Sequence, residues 1–532
     1  MNSLKKNILK MTSTGLLVIL LMAGCTDHFD ELNTPDDQLV ASNLESAQLG
    51  QAFAQAQFYG LYGSPGPFQL MQSLHADIYA QYFATTAPNF DSDQNVMIRS
   101  WQNGAWNGFY GAAAPQLDFV ENFSEENGMT LENAVAKVMR VQLYHRITDY
   151  WGPIIYSEFG NGETKVPYDS QEDVYKDFFV TLDEAVAVLK NNAGGNAFGS
   201  NDQIYEGSVD QWLRFANSLR LRLAMRVKYV EPELAKTEAE KAVSDGVMMD
   251  NSHNAKLLTT QNSRNPYTTI TDWGEFRMSA AMESALEGYE DPRQAKYFQP
   301  AVNGDQDGDG NPYEGFRNGL PKTRKESGVE DEGLNDRYSD MGIDWQNDSK
   351  GGSNPPIEIM NAAEVYFLRA EGALEGWNMG GTAEALYEEG IRMSMMESTT
   401  ATSAEIEAYI ESGNTPKSPQ DIWDSPALTD IPVAFESAGS KERKLEQIIT
   451  QKWLALYPNS MEAWAEYRRT GYPALYDRIN SLNPAIPVGD DVQRIPFASG
   501  EYSDNAESVQ NAIQLLTSPA DEATTKLWWD AK

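Results

Sequence analysis

An acidic loop carries the residues with the clearest chemistry in this sequence. The run GDQDGDGNPYEG begins at residue 304 and alternates three aspartates, Asp305, Asp307 and Asp309. In EF-hand-type loops, oxygens at positions 1, 3 and 5 converge on Ca²⁺, and the following glycine permits a tight turn. Position 12, normally a bidentate glutamate, is Phe316, while Glu314 comes two residues earlier. The sequence therefore predicts either a calcium site at the three aspartates or a solvated acidic turn.

Aromatic residues interspersed with amides and carboxylates form a second candidate site. Sugar rings present C–H faces that stack on Trp and Tyr, and their hydroxyl groups need polar partners nearby. The residues predicted to bind ligand are Trp101, Asn103, Trp106, Tyr110, Tyr267, Asp272, Trp273 and Tyr313. If the first segment is helical, Trp106 and Tyr110 share one face. Each of these aromatic residues, taken alone, fits core packing or partner contact at least as well.

Most catalytic chemistries lack the residues they require. The four histidines do not form an H-E-x-x-H zinc motif, and the chain has one cysteine. It contains no G-x-S-x-G, G-x-x-x-x-G-K-[ST] or G-x-G-x-x-G motif, which removes the support for hydrolase, nucleotide and dinucleotide sites. A glycosidase needs only two carboxylates at a suitable separation. With 78 acidic residues in the chain, that class stays open.

The single cysteine, Cys25, follows a short targeting segment. Three lysines precede the apolar run Leu16 to Met22, which is shorter than the about 20 apolar residues that span a bilayer. Ala23 and Gly24 then lead into Cys25, a pattern that resembles the lipobox of bacterial lipoproteins. We predict a signal peptide at 1–24 and a lipidated Cys25, because no second cysteine is available for pairing. The alternative is a secretory peptide with an accidental cysteine at its cleavage site.

Charge and composition narrow the possible partners. The formal net charge of −37 argues against binding to nucleic acid or to anionic lipid headgroups. Residues 25–45 form an acidic, polar leader that we interpret as a spacer. Residues 46–532 are predicted to fold, because aromatic residues make up 11% of the chain.

Helical periodicity dominates the remainder, which predicts an all-α fold. Apolar residues recur three or four positions apart in three stripes: Val135, Met139, Leu143, Ile147; Trp212, Phe215, Leu219, Leu223; Ala363, Phe367, Ala370, Leu374, Trp377. The third stripe and the next apolar-lined helix, separated by a Gly-Gly turn, resemble a tetratricopeptide unit with small residues at the close contacts. Long insertions at about 60–130, 250–345 and 398–440 interrupt the helix pairs. We predict that Trp212, Trp377, Trp453 and Trp464 pack in the core. We predict that Arg220, Arg222 and Arg226 form structural ion pairs with buried carboxylates.

Several longer blocks resemble one protein family. Among them are DYWGPIIYSE, DQWLRFANSLRLRLAMR, AAEVYFLRAEGALEGW, KLEQIITQKWLALYPNSMEAWAEYRRTGYP and the terminal TKLWWD. In this order they are similar to the successive blocks of SusD/RagB-type lipoproteins of Bacteroidota. The resemblance implies an α-helical scaffold with divergent tetratricopeptide-type helix pairs and long loop insertions. It also implies a surface-exposed outer-membrane lipoprotein that serves as a lid on a SusC-like, TonB-dependent transporter and captures nutrient.

Three functions are compatible with these observations. The aromatic and polar clusters favour a lid that captures oligosaccharide, and an oligopeptide-capturing lid of the same kind of complex is the first alternative. A surface glycosidase is the second. In the first two, Cys25 is the only attachment to the membrane.

The anchor gives the first testable prediction. Substitution of Cys25 by alanine removes the thiol that carries the acyl chain, so Cys25→Ala protein should not be acylated and should lose stable membrane attachment. Metabolic labelling with a palmitate analogue measures this directly. Unlabelled, soluble wild-type protein would exclude the lipoprotein interpretation.

Overall fold

The computed structural model describes residues 46–323 and 334–532. The predicted signal peptide, Cys25 and the leader at 25–45 lie outside these residues. Gly50–Lys532 forms one compact unit. In the other unit, Met1–Leu49, the described residues are 46–49, which begin the helix Ser46–Gly60. Within the described ranges, no helix is long and apolar enough to cross a bilayer.

Helices form most of the structure, which confirms the all-α prediction. The first eight are α1 Ser46–Gly60, α2 Arg99–Gly108, α3 Ala114–Glu126, α4 Thr130–Trp151, α5 Gln171–Asn191, α6 Val209–Arg226, α7 Pro232–Asp245 and α8 Tyr267–Trp273. The next eight are α9 Ala280–Gly288, α10 Ala362–Leu374, α11 Ala383–Ser398, α12 Ser403–Ile410, α13 Lys441–Leu456, α14 Ser460–Thr470, α15 Ser499–Asp504 and α16 Ala506–Gln514.

Shorter elements connect these helices. Two π-helical segments are Gln69–Ala76 and Phe109–Ala113, and single turns of helix are Pro65–Phe68, Asp77–Tyr79, Asp91–Gln94, Gly199–Asn201, Asn251–His253, Gln294–Tyr297, Leu334–Arg337, Ile343–Trp345 and Asp348–Lys350. The strands are β1 Phe83–Thr85, β2 Ala255–Leu257, β3 Phe276–Met278 and β4 Ile357–Met360. β1 pairs antiparallel with β3, and β2 pairs antiparallel with β4. The insertion at 60–130 is therefore more helical than its Gly- and Asn-rich sequence indicates.

Local sequence signals explain where the helices begin and end. Side chains of Ser170, Thr382 and Ser440 cap α5, α11 and α13 by accepting a hydrogen bond from a backbone N–H of the first turn. Helix α4 ends at Gly152, whose φ of +85° favours glycine, and Pro153 follows. A glycine followed by a proline just after an apolar helical stripe is a local signal for the end of a helix.

Four helix pairs pack together to form the scaffold: α4 with α5, α6 with α7, α10 with α11, and α13 with α14. In the third pair, a Cβ atom at Gly390 would lie 2.9 Å from the Phe367 ring, so a small residue is required at this contact, as predicted. The first two apolar stripes are buried throughout. The third stripe is buried as far as Ala370, but α10 ends at Leu374, before Trp377.

A buried ion network joins the helix pairs. Arg222 of α6 makes two hydrogen bonds to Glu364 of α10, of 2.6 and 2.7 Å, and Arg226 bonds Glu462 of α14 at 2.6 Å. The predicted pairing of Arg222 and Arg226 with buried carboxylates is confirmed, and Arg220 pairs with Asp183 at 2.5 Å.

The same network continues between α10, α13 and α14. Arg469 bonds both Glu371 and Glu466 at 2.7 Å, and Lys452 lies 2.9 Å from Glu466. Burial alone would raise the pKa of Glu371, but the charges of Arg469 and Lys228 outweigh it and lower that pKa to about 2. The carboxylate is therefore ionised in the folded protein at neutral pH.

The network gives the second prediction. Glu371→Gln leaves buried guanidinium and ammonium groups without their counter-charge, and removal of one member of a buried ion pair costs about 3–5 kcal/mol. We expect a loss of that size in the free energy of unfolding, measured by chemical denaturation. Because the folded pKa of Glu371 lies below its ordinary value of 4.5, its stabilising contribution is full above that value and is lost as the pH falls towards about 2.

Glu388→Gln is the matched control. Glu388 pairs with Arg392 one helical turn away on the surface of α11, and such exposed pairs contribute about 0.5 kcal/mol or less. Equal losses in the two variants would show that the buried network does not stabilise the scaffold.

Candidate functional site

An aromatic surface lies where the insertions at 60–130 and 250–345 meet. Its rings belong to Phe90, Trp101, Trp273 and Phe276, which we call the aromatic face. The Phe90 ring centroid lies 5.6 Å from that of Trp101 and 5.9 Å from that of Phe276. Trp273, three residues before Phe276, is 42% exposed. Through Phe90, the structure thus brings Trp101 close to the segment that carries Phe276 and the exposed Trp273.

Main-chain hydrogen bonds hold this surface in place. Helix α8 ends with Trp273, and Gly274 follows with a φ of +66°. The Thr86 hydroxyl donates to the carbonyl of Gly274 at 2.9 Å, and the Thr85 hydroxyl donates to the carbonyl of Glu275 at 2.7 Å. The pairing of β1 with β3 extends these contacts. The chain from Trp273 to Phe276 is therefore fixed before any ligand arrives.

Polar side chains accompany the aromatic rings. The Gln69 side-chain amide donates to Glu275 at 2.6 Å, and burial raises the pKa of Glu275. Gln69 begins a π-helical segment, a type of helix that occurs frequently at functional sites. Asp272, predicted to bind ligand, is exposed and lies 2.8 Å from the ammonium of Lys350. Amide, carboxylate and ammonium groups are therefore carried by, or bonded to, the chain neighbours of the exposed Trp273.

Three of the predicted ligand-binding residues face other parts of the protein. Trp106 and Tyr110 share a face, as predicted, with ring centroids 4.3 Å apart. That face is directed inwards: Trp106 is 3% exposed and packs edge-on against Trp151 at 5.2 Å, and the Tyr110 hydroxyl donates to the carbonyl of Ile155. Asn103 donates to the Ser499 hydroxyl at 3.0 Å. These contacts are of the kind that stabilise a core.

Tyr267 and Tyr313 are the two remaining predicted tyrosines, and neither is fully exposed. Tyr267 is 5% exposed, its hydroxyl lies 3.0 Å from the carboxylate of Asp77, and the residue lines a partly open cavity. Tyr313 is half-buried beside the acidic loop. Phe90 and Phe276 are not among the residues predicted from the sequence, although Phe90 follows Pro88 and Asn89 in an insertion with loop composition.

The acidic loop folds around its own backbone. Asp305 accepts hydrogen bonds from the backbone N–H groups of Gly308 and Gly310, at 2.6 and 2.9 Å. One carboxylate oxygen each from Asp305, Asp307 and Glu314 lies within 4.8 Å of the others, an arrangement that could hold a metal ion. Glu314, two residues early for the EF-hand pattern, therefore takes part in the cluster.

Burial and mutual repulsion make this carboxylate cluster costly to ionise. Burial, followed by the charges of Asp307 and Asp305, raises the pKa of Glu314 to about 7. The pKa of Glu287 also rises to about 7, because of burial and a hydrogen bond with Asp309. The Asp309 carboxylate thus meets Glu287, whereas the other two aspartates meet Glu314. A bound cation would relieve the repulsion.

Comparisons with known proteins point to one family. The family model described as SusD-like, "Susd and RagB outer membrane lipoprotein", matches residues 31–530. A chitin-binding SusD homologue from Flavobacterium johnsoniae is 37% identical, with a TM-score of 0.82 over 91% of this chain and 99% of its own. A SusD homologue from Bacteroides vulgatus is 32% identical, with a TM-score of 0.81 over 90% and 97%. One from Bacteroides uniformis is 33% identical, with a TM-score of 0.80 over 92% and 100%. Among curated proteins, none matches the chain.

The different burial of the tryptophans gives the third prediction. Trp106→Ala should lower the free energy of unfolding by about 3–5 kcal/mol, because it empties a packed aromatic cluster. Trp273→Ala should change it by about 0.5 kcal/mol or less, since a surface side chain leaves no cavity. Chemical denaturation of both variants measures the difference. A large loss for Trp273→Ala would assign that side chain to the core instead.

Proposed function

We propose that this chain, which belongs to the SusD/RagB family of outer-membrane lipoproteins, captures glycan on its aromatic face. In this proposal Cys25 anchors the protein to the outer membrane with its folded part facing the cell exterior. The captured oligosaccharide passes to a SusC-like, TonB-dependent transporter. The lipid anchor is the only membrane attachment that the function requires.

The exposed side chain of Trp273, on a hydrogen-bonded segment three residues before Phe276, is the observation that carries this proposal. An indole face on a fixed backbone stacks on the C–H face of a pyranose without a large loss of conformational entropy. Gln69 bonds Glu275 and Lys350 bonds Asp272, and since these two carboxylates flank Trp273 in the chain, we expect the four polar groups to serve sugar hydroxyl groups. One similar solved structure is of a chitin-binding protein, which supports glycan over oligopeptide as the ligand.

Binding without cleavage fits the carboxylates beside the aromatic face. A glycosidase needs one carboxylic acid and one free carboxylate on opposite sides of the scissile bond. Here Asp272 is paired with Lys350, and Glu275 accepts a hydrogen bond from Gln69. Both groups are engaged by neighbouring side chains, so we propose that the protein is not an enzyme.

The fourth prediction tests glycan capture. Trp273→Ala should weaken oligosaccharide binding by about 1–3 kcal/mol, roughly 5- to 150-fold, because it removes one large stacking surface. Calorimetric titration with chitin, starch and β-glucan oligosaccharides measures the loss for whichever series binds. Dissociation constants in the micromolar to millimolar range are expected, since few groups at this surface become fully desolvated.

Tyr59→Ala is the matched control, because Tyr59 is also an exposed aromatic, 40% accessible, on α1. It should leave glycan affinity unchanged, and both variants should still co-purify with the transporter from detergent extracts. Unchanged affinity in a folded Trp273→Ala variant would place the ligand elsewhere. Selective binding of oligopeptides would favour the peptide-capturing lid, and sugars released by the purified protein would favour the glycosidase.

We also propose that the acidic loop binds Ca²⁺ in a structural role. Asp305, Asp307 and Glu314 supply converging carboxylate oxygens, which are the ligands that Ca²⁺ prefers. The loop leads directly into Phe316, which packs with Leu320 and Leu334 in a buried cluster. An ion in the loop would therefore hold in place a segment whose next residues, beginning with Phe316, belong to a buried apolar cluster.

The fifth prediction tests the calcium proposal. Because Ca²⁺ binds the folded state, saturating calcium should raise the melting temperature and a chelator should lower it. At a free calcium concentration of 100 times the dissociation constant, the bound ion should add about 2.7 kcal/mol to the free energy of unfolding. Asp305→Asn and Asp307→Asn should each abolish the shift. Asp309→Asn should leave most of it, because the Asp309 carboxylate meets Glu287.

Asp504→Asn, an exposed aspartate of α15, is the matched control and should keep the full calcium shift. Identical melting of wild-type protein in calcium and in chelator, together with a negative elemental analysis, would leave the loop as a solvated acidic turn.

A further inference from the structure

A partly open cavity of about 200 Å³ is bordered by α8. Its other walls come from α4, β4, the turn between α13 and α14, and the segment around Trp345. This volume is many times the about 10–15 Å³ that one water molecule needs, so it has room for a small organic molecule. The cationic side chains in its lining are Arg146, Arg222, Lys256, Lys296 and Arg468. Which of these cations lacks a partner decides the charge of a guest.

The two lysines at the cavity are balanced by carboxylates. Lys296 pairs with Asp344, and Lys256 pairs with both Glu358 and Glu397. Burial, followed by the charge of Glu397, raises the pKa of Glu358 to about 8, although Lys256 opposes the shift. Glu358 is therefore largely protonated at neutral pH. This part of the lining carries as many negative charges as positive ones, and it favours neither sign of guest.

Most arginines at the cavity are balanced as well. Three pairs of opposite charge border the walls that α4, α6 and α14 provide: Arg222 with Glu364, Arg226 with Glu462, and Arg468 with Asp149. Arg468 also donates from Nε and Nη1 to three main-chain carbonyl oxygens, at 2.9–3.3 Å. These pairs add no net charge to the cavity.

Arg146 of α4 is the cation that the pairs leave over. Its Nη1 donates to the carbonyl of Gly60 at 3.2 Å, and within the described ranges no carboxylate forms an ion pair with it. Its Nε and Nη2 find no partner there either, and both keep some solvent-accessible surface. Burial and the charge of Arg222 lower the pKa of Arg146 to about 10, although Glu462 opposes the shift from beyond ion-pair distance. The guanidinium is therefore charged at neutral pH.

A second guanidinium strengthens the positive field at this wall. Arg222 bonds Glu364 and the carbonyl of Ile359 through Nε and Nη2, which leaves its Nη1 without a partner in the part of the chain that the structure describes. Burial, followed by the charges of Arg222 and Arg226, holds the pKa of the lining residue His145 well below its ordinary value. Arginine N–H groups bind carboxylates in paired hydrogen bonds. One unpaired positive charge matches a guest with a single negative charge.

Aromatic rings form the apolar part of the lining. The rings of Tyr297 and Tyr457 stack with centroids 4.4 Å apart, and Trp345 meets Tyr457 edge-on at 5.9 Å. Flat apolar walls with a few polar groups are typical of small-molecule sites. Such walls suit a guest whose body is a ring, because a ring presents a flat face of C–H groups.

We propose that this cavity is a second ligand site, which takes a small carboxylate with a ring-shaped body, the chemistry of a hexuronic acid. The carboxylate binds Arg146, and the ring lies along the aromatic wall. Access is from the side of Pro356 and Ser398, lining residues that are exposed or partly exposed. Tyr267 at the start of α8 lines the cavity, whereas Trp273 at its end is exposed. The inference stands whether or not the aromatic face captures glycan.

Two variants of the full chain test the proposal. Arg146→Met removes the charge and keeps an unbranched side chain, while Arg146→Lys keeps the charge and loses the paired N–H groups. The probes are glucuronate and galacturonate, with glucose and galactose as their neutral counterparts. Calorimetry and ligand-observed NMR are run at physiological ionic strength, which screens non-specific attraction. We expect the wild type to bind at least one uronate about tenfold or more tightly than its neutral counterpart. Arg146→Met should weaken uronate binding about 10- to 100-fold, and Arg146→Lys by less.

Arg214→Met is the matched control. Arg214 is a partly exposed arginine of α6 that lies outside the cavity lining, so this variant should bind uronate as the wild type does. Melting temperatures confirm folding. Arg146→Met should not lower them, since it deletes a charge that has no carboxylate partner. Should it fail to fold, Arg146→Lys decides the question, because weaker uronate binding than in the wild type is required of it too.

The outcomes separate this site from the aromatic face. Uronate binding that survives Trp273→Ala and weakens in the Arg146 variants supports the cavity. Binding that fails only in Trp273→Ala places the sugar on the aromatic face and overturns the inference. Equal binding of uronates and neutral sugars, absence of uronate binding to folded wild type, or unchanged binding in the Arg146 variants would overturn it as well.

Discussion

The buried ion network between α6, α10, α13 and α14 is the constraint on which the rest of the structure depends. Its members come from positions as distant as Arg222 and Glu466, and side chains such as Arg469 and Glu371 are almost fully inaccessible to water. A buried charge without its partner is far more costly than an exposed one, so the network tolerates few relative positions of the helices. Apolar stripes supply most of the burial, but they would tolerate small shifts that these directional bonds do not.

The insertions adopt defined positions because they fold onto this fixed scaffold. β4 precedes α10 directly, and the carbonyl of Ile359 in β4 accepts a hydrogen bond from Arg222 of the network. β4 in turn holds β2, and the Asn265 amide donates to the carbonyl of Pro355. Helix α8 begins two residues later, so a chain of contacts leads from the buried ions to the aromatic face. The cavity lies along the same path, between the network and α8.

Carboxylates in different parts of this protein experience opposite environments. Glu371, opposite Arg469 and Lys228, remains ionised in the interior, with a pKa of about 2. Glu314, Glu287 and Glu358 have too few cations nearby, and burial raises their pKa values to about 7, 7 and 8. The first kind of site is complete without a guest. The second kind is where a bound cation would stabilise the protein, and at the acidic loop three carboxylate oxygens converge to hold one.

Sequence alone determined the elements whose signals are local or repeated. The helical stripes, the stop at Gly152, the presence of small residues where paired helices approach closely, and the pairing of Arg222 and Arg226 with carboxylates follow from periodicity, from local stop signals and from the cost of burying charge. The family blocks, read in order, gave the fold. The sequence could not tell which aromatic residues are exposed, because Trp106 and Trp273 occur in similar polar surroundings along the chain. Tertiary structure decided this: α2 packs Trp106 against Trp151, while β1 and β3 hold Trp273 at the surface. It also brought Phe90 to Phe276 and Glu314 to Asp305, and opened a cavity beneath Tyr267, since contacts across many residues depend on how the helices pack and not on any local pattern.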